Sequence, residues 1–254
     1  MDVKEKKNRR LSYLWPVIFW LLLWHIVSII IDSKLILVSP LTVVGHLFVF
    51  IKEAEFWSTV LSSFVKIIGG FLLALLTGSM WAALSAKYKG IKQLLWPVIL
   101  AIKTVPVASF IILALFWFSS QNLSVFISFL MVFPIIYTNV LKGIEETDEK
   151  LVEMAEVFQI SSINKIRSLY IPQIMPYFRA GCSISLGLCW KSGIAAEVIG
   201  MPAGSMGERL QQAKVYWETA DVLAWTVVIV IISLVFELLF LKILDKITAW
   251  WERM

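Results

Sequence analysis

The sequence predicts an all-α integral membrane protein with about six transmembrane helices. Of its 254 residues 59% are hydrophobic, with a mean hydropathy of +0.82. Only 16% are charged, where soluble domains carry roughly 25%. Uncharged runs long enough to cross a hydrocarbon core of roughly 30 Å recur along the chain. A soluble fold cannot hide that much apolar surface, so lipid is the solvent.

The elements follow in order. After the polar, basic MDVKEKKNRR, residues 11–31 carry no charge and form the first span; Ile31-Asp32-Ser33-Lys34-Leu35 offers no small-x-small cleavage site, which predicts an uncleaved anchor. His25 within it reads as a packed or lipid-interface residue. Beyond Ser39-Pro40, Val44, Leu47, Phe48 and Ile51 make one stripe of a short interfacial helix. The uncharged run 67–86 sets a second span at 64–86, and Lys87, Lys89 and Lys92 after it mark a cytoplasmic loop. Residues 104–141 lack charge throughout, too long for one crossing at about 1.5 Å per residue, so the chain must fold back. The polar Ser119-Ser120-Gln121-Asn122 supplies the turn, giving spans at 93–118 and 123–141 with Pro106 and Pro134 inside them. Residues 142–176 form the longest polar stretch. Two more spans, 177–199 and 221–242, flank the Gly- and charge-containing segment 200–220.

Lysines and arginines orient this array. Sixteen fall in the inner segments: five before Leu11, three at 87–92, five at 142–179 and three after position 241. Four, Lys34, Lys52, Arg209 and Lys214, fall in the outer ones, which predicts cytoplasmic termini and a cytoplasmic 142–176 loop. The net charge of +5 therefore serves topology and implies no nucleic acid. Cys182 and Cys189 lie too far apart along one helix for a disulfide and read as small packing residues.

The loop separates the transport classes that hydropathy leaves open. Glu153-Met154-Ala155 is followed after three residues by Gln159 and after nine more by Leu169-Tyr170-Ile171-Pro172. This register resembles the EAA loop of binding-protein-dependent ABC permeases, whose pattern runs E-A-A, three residues, G, nine residues, I-x-L-P. Identity holds at Glu153, Ala155 and Pro172, and apolar class at Leu169 and Ile171. Met154 replaces an alanine, and Gln159 replaces the glycine that turns the family's chain between two short helices. Ser161 or Ser162 can cap the second of them. Read physically, residues 145–158 have helical composition with Leu151, Met154, Ala155 and Phe158 on one apolar stripe, suited to a cleft in a partner. Pro172 and Pro176 are expected to stop the second helix and redirect the chain into the fifth span. The blander reading is an amphipathic surface loop with no partner.

The likeness covers about residues 36–247 and leans toward the subfamily serving nitrate, taurine, alkanesulfonates, bicarbonate and pyrimidine precursors of thiamine. It rests on Ser39-Pro40, Ser62-Ser63-Phe64, Gly70-Phe71, Lys103-Thr104-Val105-Pro106, Gly187-Leu188-Cys189-Trp190 and Ala195-Ala196-Glu197, while the family's tryptophan-phenylalanine-glycine is reduced to Trp117-Phe118-Ser119. The resemblance implies a type I importer permease fold and a second permease copy, most simply a homodimer. It also implies a dimer of ABC ATPase subunits carrying ATP and Mg²⁺, an extracytoplasmic substrate-binding protein, and a bacterial or archaeal inner membrane. No cofactor, metal or catalysis is expected on this chain, which has no G-x-x-x-x-G-K-[ST] phosphate loop.

Ionisable residues at bilayer depth are costly and mark pathways. Lys103, ten residues or about 15 Å beyond Gln93, falls near the midplane, and Lys191 lies well inside the fifth span. With Pro106, Trp190 and Glu197 they make up the candidate translocation path. Two readings stay open for the lysines: they favour a small anion (a sulfonate, nitrate or bicarbonate), or they pair with helix carbonyls or Glu237 and hold helices together. Lys66 and Glu237 sit near span ends and snorkel. Glu197 either meets a partner protein at the outer mouth or faces interfacial water. Gly181, Ser185, Gly187, Cys189 and Gly193 allow close helix approach. The alternatives are an importer of a neutral or cationic nutrient such as a thiamine pyrimidine precursor, a secondary transporter, against which no internal repeat is found, and a membrane enzyme, for which the two histidines offer no ligand spacing.

Overall fold

The computed structural model describes residues 3–33 and 35–251, with side chains from Trp15 to Ala249 apart from position 34. The predictions that fall on Lys34, Arg253 and the first residues lie outside what it describes. Among the described residues the secondary structure is entirely helical. The chain divides into two compact units: one takes the chain up to Ser58 and returns for Arg209–Ile229, and the other holds Thr59–Glu208 and the chain from Val230 onward.

In the first unit α1 (Val3–Ile31) runs on through Pro16. Trp24 Nε1 donates to Val38 O at 3.0 Å, closing the turn into α2 (Pro40–Phe50), whose start is capped by Ser39 Oγ. Val38, Val43 and Ala224 are buried with Leu47, Phe50 and Val227 against them, and Phe50, Phe56 and Trp225 stack beside this core. The inward stripe of α2 is therefore Val43, Leu47 and Phe50. Val44, Phe48 and Ile51, expected on the same stripe as Leu47, are exposed. On an all-apolar helix the sequence does not say which face finds the neighbour.

The second unit is built on α3 (Ala54–Lys87), α6 (Ser120–Glu145) and α9 (Ile171–Gly200). Its backbones approach closely: a Cβ on Gly70 would lie 2.4 Å from Val125 O, and one on Gly193 2.6 Å from Ser128 Oγ. Phe64, Phe71, Phe236 and Phe240 interlock edge to face between α3 and α11 (Thr219–Trp251). The far side of α11 is apolar and exposed at Ile231, Leu234, Val235 and Leu238.

Among the described residues four helices are long and apolar enough to cross a membrane, Ala54–Lys87, Ser120–Glu145, Ser162–Gly200 and Thr219–Ala249, or five if a bent pair counts as one span. The expected first span appears as an apolar helix of 17 residues, Trp15–Ile31, among the described side chains. The expected span 93–118 is not one helix: α4 (Lys89–Thr104) and α5 (Val107–Ala114) meet at 105°. Pro106 has no N–H to offer and forces Val105 into an extended conformation, ψ 133°. Thr104 Oγ1 donates to the Leu100 carbonyl at 3.0 Å in the last turn of α4. The fold-back lies at Leu115–Ser119, just ahead of the polar residues expected to form it, because Ser120, Gln121 and Asn122 open α6.

Pro172 and Pro176, expected to end the second helix of the loop, do not stop it. α8 (Ser162–Lys165), a π turn at Ile166–Tyr170 and α9 run continuously for 39 residues. The wider turn bonds Ile171 N–H back to Ile166 O and makes room for the proline ring that follows.

Candidate functional site

Residues 142–176 fold as a compact elbow between α6 and α9. α7 (Glu149–Val157) starts later than expected, at Glu149, because Asp148 caps it, its side chain accepting Lys150 N–H at 2.9 Å. At its other end Gln159 takes φ 51°, and Gln159 N–H and Ile160 N–H donate to the carbonyls of Glu156 and Ala155, both at 3.0 Å. This is a Schellman cap with glutamine in the left-handed position that glycine usually fills. The substitution keeps the turn. Ser161 then caps α8, accepting Asn164 N–H at 3.4 Å.

The expected apolar stripe of α7 divides. Ala155 is buried, with Leu151, Leu169, Pro172 and Gln173 around a cavity of about 320 Å³ between α7 and the start of α9. Val157 and Phe158 point outward at 79% and 72% exposure, beside an exposed Glu153, while Met154, 45% exposed, also lines the cavity. Ile171 is half-buried on a neighbouring groove with Val140 and Phe178. The elbow is tied to the helices it joins: Gln173 Oε1 accepts Asp148 N–H at 3.0 Å, and Lys165 pairs with Glu156 at 3.3 Å. Further along, Arg179 on α9 grips Asp245 on α11 with two bonds, at 2.5 and 3.1 Å.

The candidate path residues separate into a front and a back. Lys103 is exposed one turn before the α4–α5 break, its ammonium donating to Thr138 Oγ1 at 3.4 Å, and Pro106 is exposed at the break itself. Lys191 is exposed on α9. Trp190 is buried against Phe64, ring centroids 5.9 Å apart.

Glu197, expected to face a partner or interfacial water, is fully buried. Its Oε2 accepts from Ser63 Oγ at 2.7 Å and from Gly207 N–H at 3.2 Å, and Ser63 Oγ in turn accepts Met206 N–H at 2.9 Å. The carboxylate thereby joins α3, α9 and the start of α10 (Met206–Val215). Sequence reading missed α10, although Ser205-Met206-Gly207-Glu208 has the spacing of a capping box. In the structure Ser205 Oγ accepts Glu208 N–H at 3.1 Å, and Glu208 reaches back to Gly204 N–H at 2.6 Å.

A set of long apolar helices, one of them broken at a proline, defines a multi-pass helical membrane protein. Residues 70–249 match the family described as binding-protein-dependent transport system inner membrane component. The chain belongs to this family and is the permease subunit of an ABC importer, a non-catalytic membrane component that works with an ATPase and a binding protein. It is 25% identical over 99% of its length to the putative aliphatic sulfonates transport permease SsuC of Bacillus subtilis, covering 93% of that protein. It is 23% identical over 98% of its length to the taurine transport system permease TauC of Escherichia coli, covering 97%, and 28% identical over 78% to the nitrate import permease NrtB of Synechococcus elongatus, covering 76%. Among solved structures, a crystal structure of an amino acid ABC transporter with histidines shares the fold, with a TM-score of 0.59 and 19% identity over 85% of this chain and 99% of that one.

Proposed function

We propose that this permease forms, as a homodimer, the membrane path for a small organic or inorganic anion, and that residues 142–176 couple the path to the ATPase dimer in the cytoplasm. The observation that carries the anion reading is that Lys103 and Lys191 are both exposed within spanning segments and neither meets a carboxylate among the described residues. An ammonium at bilayer depth needs water or a counter-ion, and a path that supplies both repels cations and admits anions. Relatives named for aliphatic sulfonates and nitrate agree with this sign. ATP and Mg²⁺ bind the partner ATPase, a substrate-binding protein delivers the solute from outside, and closure of the ATPase dimer moves the elbow and with it α6 and α9.

The test is uptake by the reconstituted importer with its own binding protein. Lys103→Gln is expected to slow uptake of the anion roughly tenfold, about 1.4 kcal/mol of lost attraction, with the amount of assembled complex unchanged. Loss of the complex instead assigns the lysine a packing role. Capture of a neutral pyrimidine or a cation by the binding protein defeats the anion reading.

Orientation is tested separately. Single cysteines at Ser33 and Ala203 are expected to react with an impermeant thiol reagent in intact cells and one at Ser162 only after the membrane is opened. Ala203 is chosen because it is exposed, whereas Ser205, two residues on, is buried. Labelling of the Ser162 position in intact cells reverses the topology.

A further inference from the structure

We propose that Lys191 and Lys103 are two separate anion stations at different heights along the path, occupied one after the other by the permeating ion. This rests on the anion-permease reading and adds to it the number and order of the sites.

The packing of α6 against α9 fixes the heights. Ser128 Oγ donates to Cys189 O at 3.4 Å, and a Cβ on Gly193 would lie 2.6 Å from the same oxygen, so α9 passes the level of Ser128 between residues 189 and 193. A Cβ on Gly181 would lie 3.0 Å from the Cβ of Asn139. As numbers rise along α6 they fall along α9; the two helices are antiparallel, and Lys191 stands level with Ser128. The ammonium of Lys103 is held at Thr138. Ten residues separate Ser128 from Thr138, a rise of roughly 15 Å. The four-carbon stem of Lys191 spans less than half of that rise, so one small anion cannot touch both ammonium groups. Because Coulomb attraction falls with distance, an ion in contact with one lysine feels the other several times less.

Each station has free donors and an open approach. Lys191 has no hydrogen-bond or ion-pair partner among the described residues. It ends an exposed ridge of α9 formed by Ala180, Ile184 and Leu188, and a Cβ added at Gly187 on that side would meet nothing within 4 Å. Lys103 makes one long bond to Thr138, whose own hydroxyl donates to Pro134 O at 2.7 Å, which leaves most of the ammonium's hydrogen-bonding capacity unused. Two weak sites in series suit passage better than one strong one, since an ion must be held well enough to enter and loosely enough to leave. With α6 running inward from Ser120, Lys191 is the outer station and Lys103 the inner one. The inner station also sits one turn from the α4–α5 break, where a change of bend would move it.

The test uses the complete importer in membrane vesicles, carrying Lys191→Cys or Lys103→Cys in a chain with Cys182→Ser and Cys189→Ser, and the anionic reagent sulfonatoethyl methanethiosulfonate. With a non-hydrolysable ATP analogue bound and reagent outside, Lys191→Cys is expected to react at least about tenfold faster than Lys103→Cys; without nucleotide and with reagent on the cytoplasmic side the order inverts. If either variant fails to assemble, Leu188→Cys and Thr104→Cys, exposed and within one turn, report the same two levels. Equal rates from one side in both nucleotide states indicate a single vestibule and overturn the two stations. The cationic trimethylammonium reagent checks the reading underneath: if it modifies both positions as fast as the anionic one, the path does not select anions, whatever the order of access.

Discussion

Gly207→Ala is expected to lower the thermal midpoint of the detergent-solubilised permease by about 10 °C, corresponding to a loss of about 3–4 kcal/mol. A Cβ at position 207 would lie 2.3 Å from Glu197 Cβ and 2.6 Å from the backbone of Glu197 and Val198. No rotamer relieves an overlap with main chain, so α10 must move off α9. That movement breaks Gly207 N–H to Glu197 and Met206 N–H to Ser63, and leaves the buried carboxylate short of donors. Glu197→Ala should act through the same atoms, leaving Ser63 and Gly207 without their acceptor. Glu197→Gln keeps an acceptor oxygen and the side-chain volume, and should cost less than half as much. Thermal unfolding followed by size exclusion reads all three. A Gly207→Ala midpoint within about 2 °C of the parent shows that this junction contributes little to stability.

Phe158→Asp is expected to abolish co-purification with the ATPase and reduce uptake to less than a tenth, with membrane insertion unchanged. An exposed aromatic at the tip of an otherwise anchored elbow has the character of an interface hot spot, where truncation typically costs 2 kcal/mol or more, about 30-fold in affinity. Phe158 and Val157 have little to pack against within the chain, so the aspartate perturbs the contact and leaves the elbow's own fold intact. Ala155→Leu gives the contrast. Ala155 is buried inside the elbow, so the larger side chain should distort the loop and weaken docking indirectly. If both proteins keep the ATPase and full uptake, residues 142–176 do not couple transport to ATP.

The elbow was legible because its grammar is local. The cap at Ser161 and the turn at Gln159 act over a few residues, so sequence alone points to a helix, a turn and the start of a second helix; the cap at Asp148 went unread, and α7 starts four residues later than expected, while the second helix runs on into α9. The unexpected conformer is Gln159, a non-glycine residue at φ 51° held there by two carbonyls of its own helix. The direction of Ala155 was not legible. Helical spacing places it beside Met154 on the apolar side, and both line the cavity, but only the returning chain at Leu169 and Pro172 decides that alanine is fully buried there while methionine stays 45% exposed.

The sequence by itself determined that the chain is helical, that lipid surrounds it, where its long apolar segments lie and that a polar elbow joins two of them, because hydropathy and capping are properties of neighbouring residues. Only the tertiary structure decided the 105° break at Pro106, since a proline in a membrane helix is compatible with a kink or a full turn until neighbours take the freed carbonyls. It also decided the burial of Glu197, whose partners Ser63 and Gly207 stand 134 and 10 residues away, and the separation of Lys103 from Lys191, which follows from the antiparallel register of α6 and α9. Such long-range pairings are set by which small residues let two backbones meet, and no periodicity within either helix records the height at which they do.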